Sequence, residues 1–242
     1  MRIIKLDAID STNRYLKDLS RTSVLENYTV VYARNQTDGK GQMGAKWISE
    51  DDKNLTMSIL IKKRNLNNSH IFDLNIVVAC SIFEVLQSIN VSKLSIKWPN
   101  DMMSDHKKIG GILIENLIGS EQIISIVGIG INVNQTNFYD LPMAGSIKSV
   151  TSRVFDVEQI MLLIAKKIEH NYEILLSDSA RYFWDFYHDH LFKKNVPMAF
   201  ENRSGQKFMG ILCEVEVNGK IKIQLEDDSF SSFDVKEIKM LF

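Results

Sequence analysis

The 242-residue chain is 45% apolar, and a chain of this size buries roughly 70–75% of the surface its unfolded form exposes, so one good core and a small extra module need no disulfide staple. Its 29 basic and 30 acidic residues nearly cancel, which excludes the global positive field that draws proteins to nucleic acid or anionic membranes. Cys80 and Cys213 lie in apolar surroundings with no CxxC or Cys/His spacing, and no apolar run approaches the ~18 residues of a membrane span, so the expectation is a reduced, cytoplasmic protein without zinc or membrane anchor.

Residues 3–9 read as a strand, and Ser11 is placed to cap an amphipathic helix reaching about Arg21. Residues 29–33 and 55–61 are rich in β-branched side chains, while 36–53 between them carries three glycines and many polar groups. An unstructured connection of that length is uncommon in compact domains and is more often functional than accidental. Residues 69–89 repeat apolar side chains at helical spacing (Leu74, Val77, Val78, Ile82, Val85, Leu86). Three extended segments follow, at 95–98 before Pro99, at 109–115, and at 123–133, the last nearly all apolar and so central in a sheet. Residues 157–176 form a second strongly periodic helix, and 180–190 a short aromatic one. Beyond 191 the texture changes to five short strands separated by turn signals, with Asn218–Gly219 the clearest two-residue hairpin. This divides the chain into 1–190 and a small barrel at 191–242.

Four segments carry candidate chemistry. QTDGKGQMGAKW at 36–47 combines Gly39, Gly41 and Gly44 with Lys40 and Lys46, which suits a phosphate or polar ring and equally a mobile turn; its spacing is neither a P-loop nor a dinucleotide fingerprint. KWPND at 97–101 sets Lys97 and Asp101 at a strand end, as a phosphate and Mg2+ site or as a solvated turn with an ion pair. KKIGGILIE at 107–115 puts Lys108 beside Gly110–Gly111, and glycines inside a strand mark either a closely approaching ligand or a β-bulge. GIGINVN at 128–134 repeats the pattern and ends on Asn132, whose amide is able to read a base edge. The five histidines show no ligand spacing, and the basic residues are not interleaved with aromatics as on a single-strand nucleic-acid platform.

In this order, with DSTN at 10–13 in front, the segments resemble the biotin protein ligases, and the resemblance runs from residue 3 to about 190. It implies an α+β catalytic domain, a mixed or antiparallel sheet with helices packed on one side, followed by a small C-terminal SH3-like β-barrel. It also implies an ATP-dependent ligase that forms biotinyl-5′-AMP from biotin and MgATP and passes the biotinyl group to one lysine of a biotin carboxyl carrier domain. The same comparison implies catalytic roles for Lys108, Asp101 and Lys97. Ser11, Thr12, Asn13, Gln36, Gly39, Lys40 and Gly111 would hold biotin. Lys40, Gly41, Trp47, Asn132 and Lys108 would hold the nucleotide, and Asp101 would contact Mg2+ and help deprotonate the acceptor lysine.

The 36–47 segment departs from the family's GRGRxGRxW pattern: lysine and glutamine stand at 40 and 42 where arginines are usual, and Met43 and Ala45 occupy positions that are often basic. Arginine's planar fork is not reproduced by these residues, so a looser seal over the adenylate is expected. The first catalytic strand begins at residue 3, so no operator-binding module and no DNA partner are expected, and the oligomeric state is left as monomer or homodimer. Rival readings are a lipoate ligase or octanoyl transferase of the same fold, and a non-catalytic module that holds a carrier domain.

Overall fold

The computed structural model describes residues 1–63, 71–119, 122–139, 141–177 and 180–241. A seven-stranded mixed sheet runs β1 (Ile3–Ile9), β2 (Val30–Gln36), β5 (Leu55–Lys63), β9 (Ile123–Ile131), β8 (Lys107–Ile118), β7 (Asp101–Ser104) and β6 (Leu94–Lys97) across its width. Only β1 and β2 are parallel; every other neighbouring pair is antiparallel. Between β2 and β5 a two-stranded ribbon, β3 (Gly39–Lys40) and β4 (Lys46–Trp47), is closed by a 3-10 turn at Gln42–Gly44. The expected long loop at 36–53 is therefore partly structured, because Met43 (φ 56°) and Gly44 (φ 79°) take left-handed conformations that turn the chain back on itself.

Alternation along the strands decides which face buries what. Val30, Tyr32, Met57, Ile59, Ile61, Val127 and Ile129 point to one face and join the main core with α2 (Ile71–Ser88), α4 (Val157–Leu176) and α5 (Ala180–Asp189). The expected first turn of α2, from 69, lies outside the described residues. A short helix not expected from sequence, α3 (Ile147–Thr151), opens with Ser146 and Ser149 in a reciprocal capping box. The alternate positions Val31, Leu60 and Ile126 face the other way and meet Leu16 and Leu25 in a second small core. Helix α1 (Thr12–Thr22) thus covers the opposite face from the three long helices, an addition to the one-sided arrangement expected, and packs its apolar stripe on β2, β5 and β9.

Leu16 is fully buried at the centre of that patch, so Leu16→Ala is expected to lower stability by about 2–5 kcal/mol and to loosen α1, measured by denaturant unfolding. An unchanged midpoint would show that α1 is held by its cap alone.

The C-terminal residues form an antiparallel sheet ordered β13 (Phe230–Phe233), β12 (Ile221–Leu225), β11 (Lys207–Val215), β10 (Pro197–Asn202) and β14 (Ile238–Leu241). Phe200, Leu212, Ile221 and Ile223 are fully buried within it. This five-stranded antiparallel sheet fits the SH3-like unit expected, and among the described residues β13 and β14 are its two edges. No helix among the described residues is long and apolar enough to cross a membrane.

Candidate active site

The face that α1 half covers is left open beside it, and the strand register explains why. One cross-strand row runs Lys97, Asp101, Gly111, Gly130, Thr56, Ala33; the next runs Leu113, Gly128, Ser58, Val31; a third, beneath α1, runs Glu115, Ile126, Leu60. Glycine and small polar residues in the first two rows cannot fill that face, and a cavity of about 220 Å³ results. Ser11, Thr12, Asn13, Gln36, Lys40, Gly41, Trp47, Asp101, Lys108 and Gly111 all line it.

Lys108 reaches the cavity because of a bulge. Gly110 pairs with Met102 but Lys108 with Met103, so Ile109 is the extra residue in β8. Without it, Lys108 would share a face with Gly110 and Ile112; the slip moves it to the face of Gly111, where a methyl group at 111 would lie 3.6 Å from Nζ. Sequence reading offered a ligand or a bulge at this glycine pair, and the structure has both a bulge and a cavity. Lys108 Nζ lies 2.6 Å from Asp101 Oδ1, and Lys97 Nζ lies 3.7 Å from Oδ2. Burial pushes the Lys97 ammonium below the ordinary lysine value, the Asp101 carboxylate opposing and the Lys108 charge adding to the fall. Lys97 is outside the cavity lining and acts behind Asp101.

The loop joining β6 to β7 is tied on three sides. The Asn100 side-chain amide donates to the Ile112 carbonyl at 2.5 Å while the Asn100 backbone carbonyl accepts from Ile112 N–H. Asn75 Nδ2 donates to the Pro99 carbonyl at 2.8 Å. The buried Trp98 indole N–H donates at 2.9 Å to the carbonyl of Gly219, at the tip of the Asn218–Gly219 hairpin, so the second sheet braces the loop that aims Asp101.

At the other end, Ser11 caps α1 through its side chain and thereby presents Thr12 and Asn13 to the cavity. Thr12 backbone N–H and hydroxyl both donate to Gln36 Oε1, at 2.9 and 3.0 Å. Ser58 Oγ lies 2.6 Å from Asn13 Oδ1 and 2.8 Å from Thr12 Oγ1, with one proton to give. Asn13 Nδ2 donates to Glu115 Oε2 at 3.0 Å and, more weakly, toward the Leu113 carbonyl at 3.4 Å. Gln36 is left with its amide protons and Asn13 with an oxygen lone pair, a donor and an acceptor side by side.

The ribbon covers the cavity with Lys40, Gln42, Ala45 and Lys46, and its tip residue Met43 is exposed with φ 56°. The Trp47 ring occupies the space over Gly130, where a methyl group would lie 2.5 Å from Cε2, and its buried indole N–H has no partner among the described residues. Gly39 stands behind the wall: a side chain there would meet Gln36 Nε2 at 2.6 Å and the Trp47 carbonyl at 2.5 Å. The structure does not bring Asn132 into the cavity. Its amide donates to the Gly145 carbonyl at 2.9 Å, and its backbone pairs with Ile109 and Ile147, so it fastens segment 141–147 beside Lys108.

Sequence reasoning did not select Thr56, Ser58, Asn100, Glu115, Gly128 or Gly130 as site residues. Gly128 and Gly130 were visible as small residues in an apolar strand, and Asn100 and Glu115 stood inside motifs already marked. Thr56 and Ser58 gave no signal beyond being polar in a strand.

Residues 6–132 match the family model for the biotin/lipoate A/B protein ligase family, and the chain belongs to that family. It is 29% identical over 175 residues to the bifunctional ligase/repressor BirA of Bacillus spizizenii, covering 68% of this chain and 53% of that protein. It is 28% identical over 168 residues to the biotin–[acetyl-CoA-carboxylase] ligase of Paracoccus denitrificans, covering 64% of this chain and 67% of that one. The biotin protein ligase of Aquifex aeolicus, solved in complex with biotin and ATP, superimposes with a TM-score of 0.83 at 26% identity over 99% of this chain and 98% of its own. The chain thus spans about half the length of the bifunctional Bacillus relative and nearly the whole of the Aquifex structure.

Proposed function

We propose that the protein activates biotin with MgATP as biotinyl-5′-adenylate and transfers the biotinyl group to a lysine of a biotin carboxyl carrier domain, with residues 1–190 as the catalytic unit and 191–242 as its brace. The observation that carries this reading is one cavity with two chemically different ends: an amide-matched end at Asn13 and Gln36, and a cationic end at Lys108. A cyclic urea satisfies the first, its N–H donating to Asn13 Oδ1 and its carbonyl accepting from Gln36 or the Ser11 hydroxyl. The complex of biotin and ATP in the Aquifex relative supports the ligand pair, and the name of the Paracoccus relative supports a carboxylase carrier as acceptor.

In the first step a carboxylate oxygen of biotin bonds to the α-phosphorus of ATP and the bond to pyrophosphate breaks. Such transfers need positioned positive charge more than covalent help. Lys108 supplies it at the cavity and Lys97 supports it from behind. In the second step the acceptor lysine's amine bonds to the acyl carbon and AMP leaves. With a free pKa of ~10.4 that amine must lose a proton, and Asp101 is the carboxylate within the cavity lining that can take it.

The nucleotide would bring Mg2+ with it, and Asp101 is the residue that would meet it. Among the described residues no three His, Cys, Asp or Glu side chains cluster into a metal cage. The Asp101 carboxylate, already facing two ammonium groups, fits a cation carried mainly by phosphates, which is how Mg2+ is usually held. When bound it would add charge neutralisation at the phosphates.

A lipoate ligase is the rival within the family. The dithiolane ring of lipoate has neither N–H nor carbonyl, so the remaining lone pair of Asn13 Oδ1 and the amide protons of Gln36 would go unanswered, a mismatch worth about 10⁴-fold in discrimination. The test is to incubate the protein with MgATP, a carrier domain and, separately, biotin, lipoate or octanoate, and to weigh the carrier. One biotinyl addition on one lysine is expected, with none from the other acids. Lipoyl or octanoyl addition would overturn the reading in favour of the rival, and carrier binding without any addition would mark a non-catalytic module.

A further inference from the structure

Glu115 takes no part in the two steps above, yet it ends a continuous hydrogen-bonded chain behind the amide-matched end of the cavity. Lys17, one turn along α1 from Asn13, places Nζ 3.0 Å from Glu115 Oε1, and Asn13 Nδ2 lies 3.0 Å from Oε2. Beyond Asn13, Ser58 lies within reach of both Asn13 and Thr12 with one proton to share between them, and Thr12 donates on to Gln36. We infer that Glu115, held by Lys17, is the positioning residue that fixes which end of the Asn13 amide meets the ligand, and that it thereby selects a head group presenting an N–H at that point. The inference rests on the biotin reading and names what enforces it.

A buried primary amide has two orientations related by a half-turn, and they exchange a donor for an acceptor. Something of invariant sign must choose between them. Ser58 cannot, because a hydroxyl both donates and accepts. An ionised carboxylate only accepts and an ammonium only donates, so the Lys17–Glu115–Asn13 sequence runs in one direction only: Nδ2 turns toward Glu115 and Oδ1 toward Ser58 and the cavity. At the far end the backbone N–H of Thr12, which can only donate, fixes Gln36 in the same way. Burial works against the charged form of Glu115, but hydrogen bonds from Lys17 and Asn13, and the Lys17 charge, outweigh it and hold the carboxyl below the ordinary glutamate value. The register gives the reason for its reach: Glu115 is in the row beneath α1, one pair along β8 from Leu113 and Gly128, so it meets Asn13 from behind and never enters the cavity lining.

Glu115→Gln keeps the shape and removes the charged, fixed-sign partner, leaving the Leu113 carbonyl at 3.4 Å as the weaker one. The introduced amide can donate to Asn13 as readily as accept, which lets Asn13 turn its NH2 toward the ligand's N–H. Calorimetry with biotin should show the dissociation constant rising at least tenfold, while the KM for ATP stays within about twofold and kcat at saturating biotin within about threefold. A second substitution separates sign from packing. Asn13→Asp in the Glu115→Gln background restores an acceptor-only group at 13, now bonded by a donor at 115, with the same total charge. Biotin affinity at least fivefold better than that of Glu115→Gln alone is expected. Wild-type affinity in Glu115→Gln, with the wild-type protein binding biotin, would overturn the inference and leave the biotin reading intact. Loss in Glu115→Gln without recovery in the double variant would overturn it as well, reducing Glu115 to a packing role. A wild-type protein that does not bind biotin would sink both.

Discussion

Replacing Lys108 with alanine is expected to slow adenylate formation about a thousand-fold with the fold intact. The magnitude follows from charge: a lysine ammonium about 4 Å from the negative charge developing on the transferring phosphoryl group is worth about 4 kcal/mol at the effective dielectric of a protein surface, which is three decades in rate. Removing one positioned donor from such a site costs a similar factor in other enzymes. Folding should survive, because the Lys108 side chain is 39% exposed and its ion-pair partner Asp101 keeps Lys97 beside it. Single-turnover formation of biotinyl-AMP reads the rate, and thermal unfolding within a few degrees of the wild type confirms the fold. A loss under tenfold would mean that Lys97 or the ribbon lysines supply the charge.

Gly128→Ala is expected to weaken biotin binding at least a hundred-fold while leaving nucleotide binding nearly unchanged. A methyl group at 128 would lie 2.4 Å from Asn13 Oδ1, 2.9 Å from Cγ and 3.0 Å from Nδ2, distances no relaxed structure tolerates. Asn13 is buried and held by Ser58 and Glu115, so it cannot swing aside without leaving those partners unpaired, at about 1–3 kcal/mol for each lost bond. Gly111→Ala is the contrast. The nearest atoms would be 3.6 Å away, on Lys108, so the backbone is undisturbed and the methyl group intrudes on the cationic end instead. Calorimetry with biotin and with a non-hydrolysable ATP analogue separates the two. A Gly128→Ala protein that binds biotin normally would place the head group elsewhere.

Much of the fold was legible because it is written in local periodicity. The apolar repeat at 157–176 is α4 as it stands, and the five C-terminal strands fall within two residues of their turn signals at most ends. Asp101–Ser104 was missed as a strand because DMMS is too short to alternate, and its extension comes from pairing with β8. The ribbon at 39–47 was hidden by its glycines, which read as flexibility until Gly39 is seen wedged between Gln36 and Trp47. The ordered motifs brought Ser11, Thr12, Asn13, Gln36, Asp101, Lys108 and Gly111 to one place, because each motif sits at a strand end or helix start that the fold gathers together.

What sequence did not show was register. Ser58 and Glu115 meet Asn13 from positions 45 and 102 residues away, and no local pattern encodes that pairing. Asn132 is illegible in another way: an asparagine that fastens a loop and one that reads a base are the same letter, and its bond to Gly145 shows the first.

The measurement that bears most directly on this account is exchange of labelled pyrophosphate into ATP by the purified protein, with biotin, lipoate or octanoate as the acid. Exchange that depends on biotin, is absent with the other two acids and is lost in Lys108→Ala is the predicted result. Exchange supported by lipoate or octanoate in place of biotin, or biotin-dependent exchange that persists in Lys108→Ala, would contradict it.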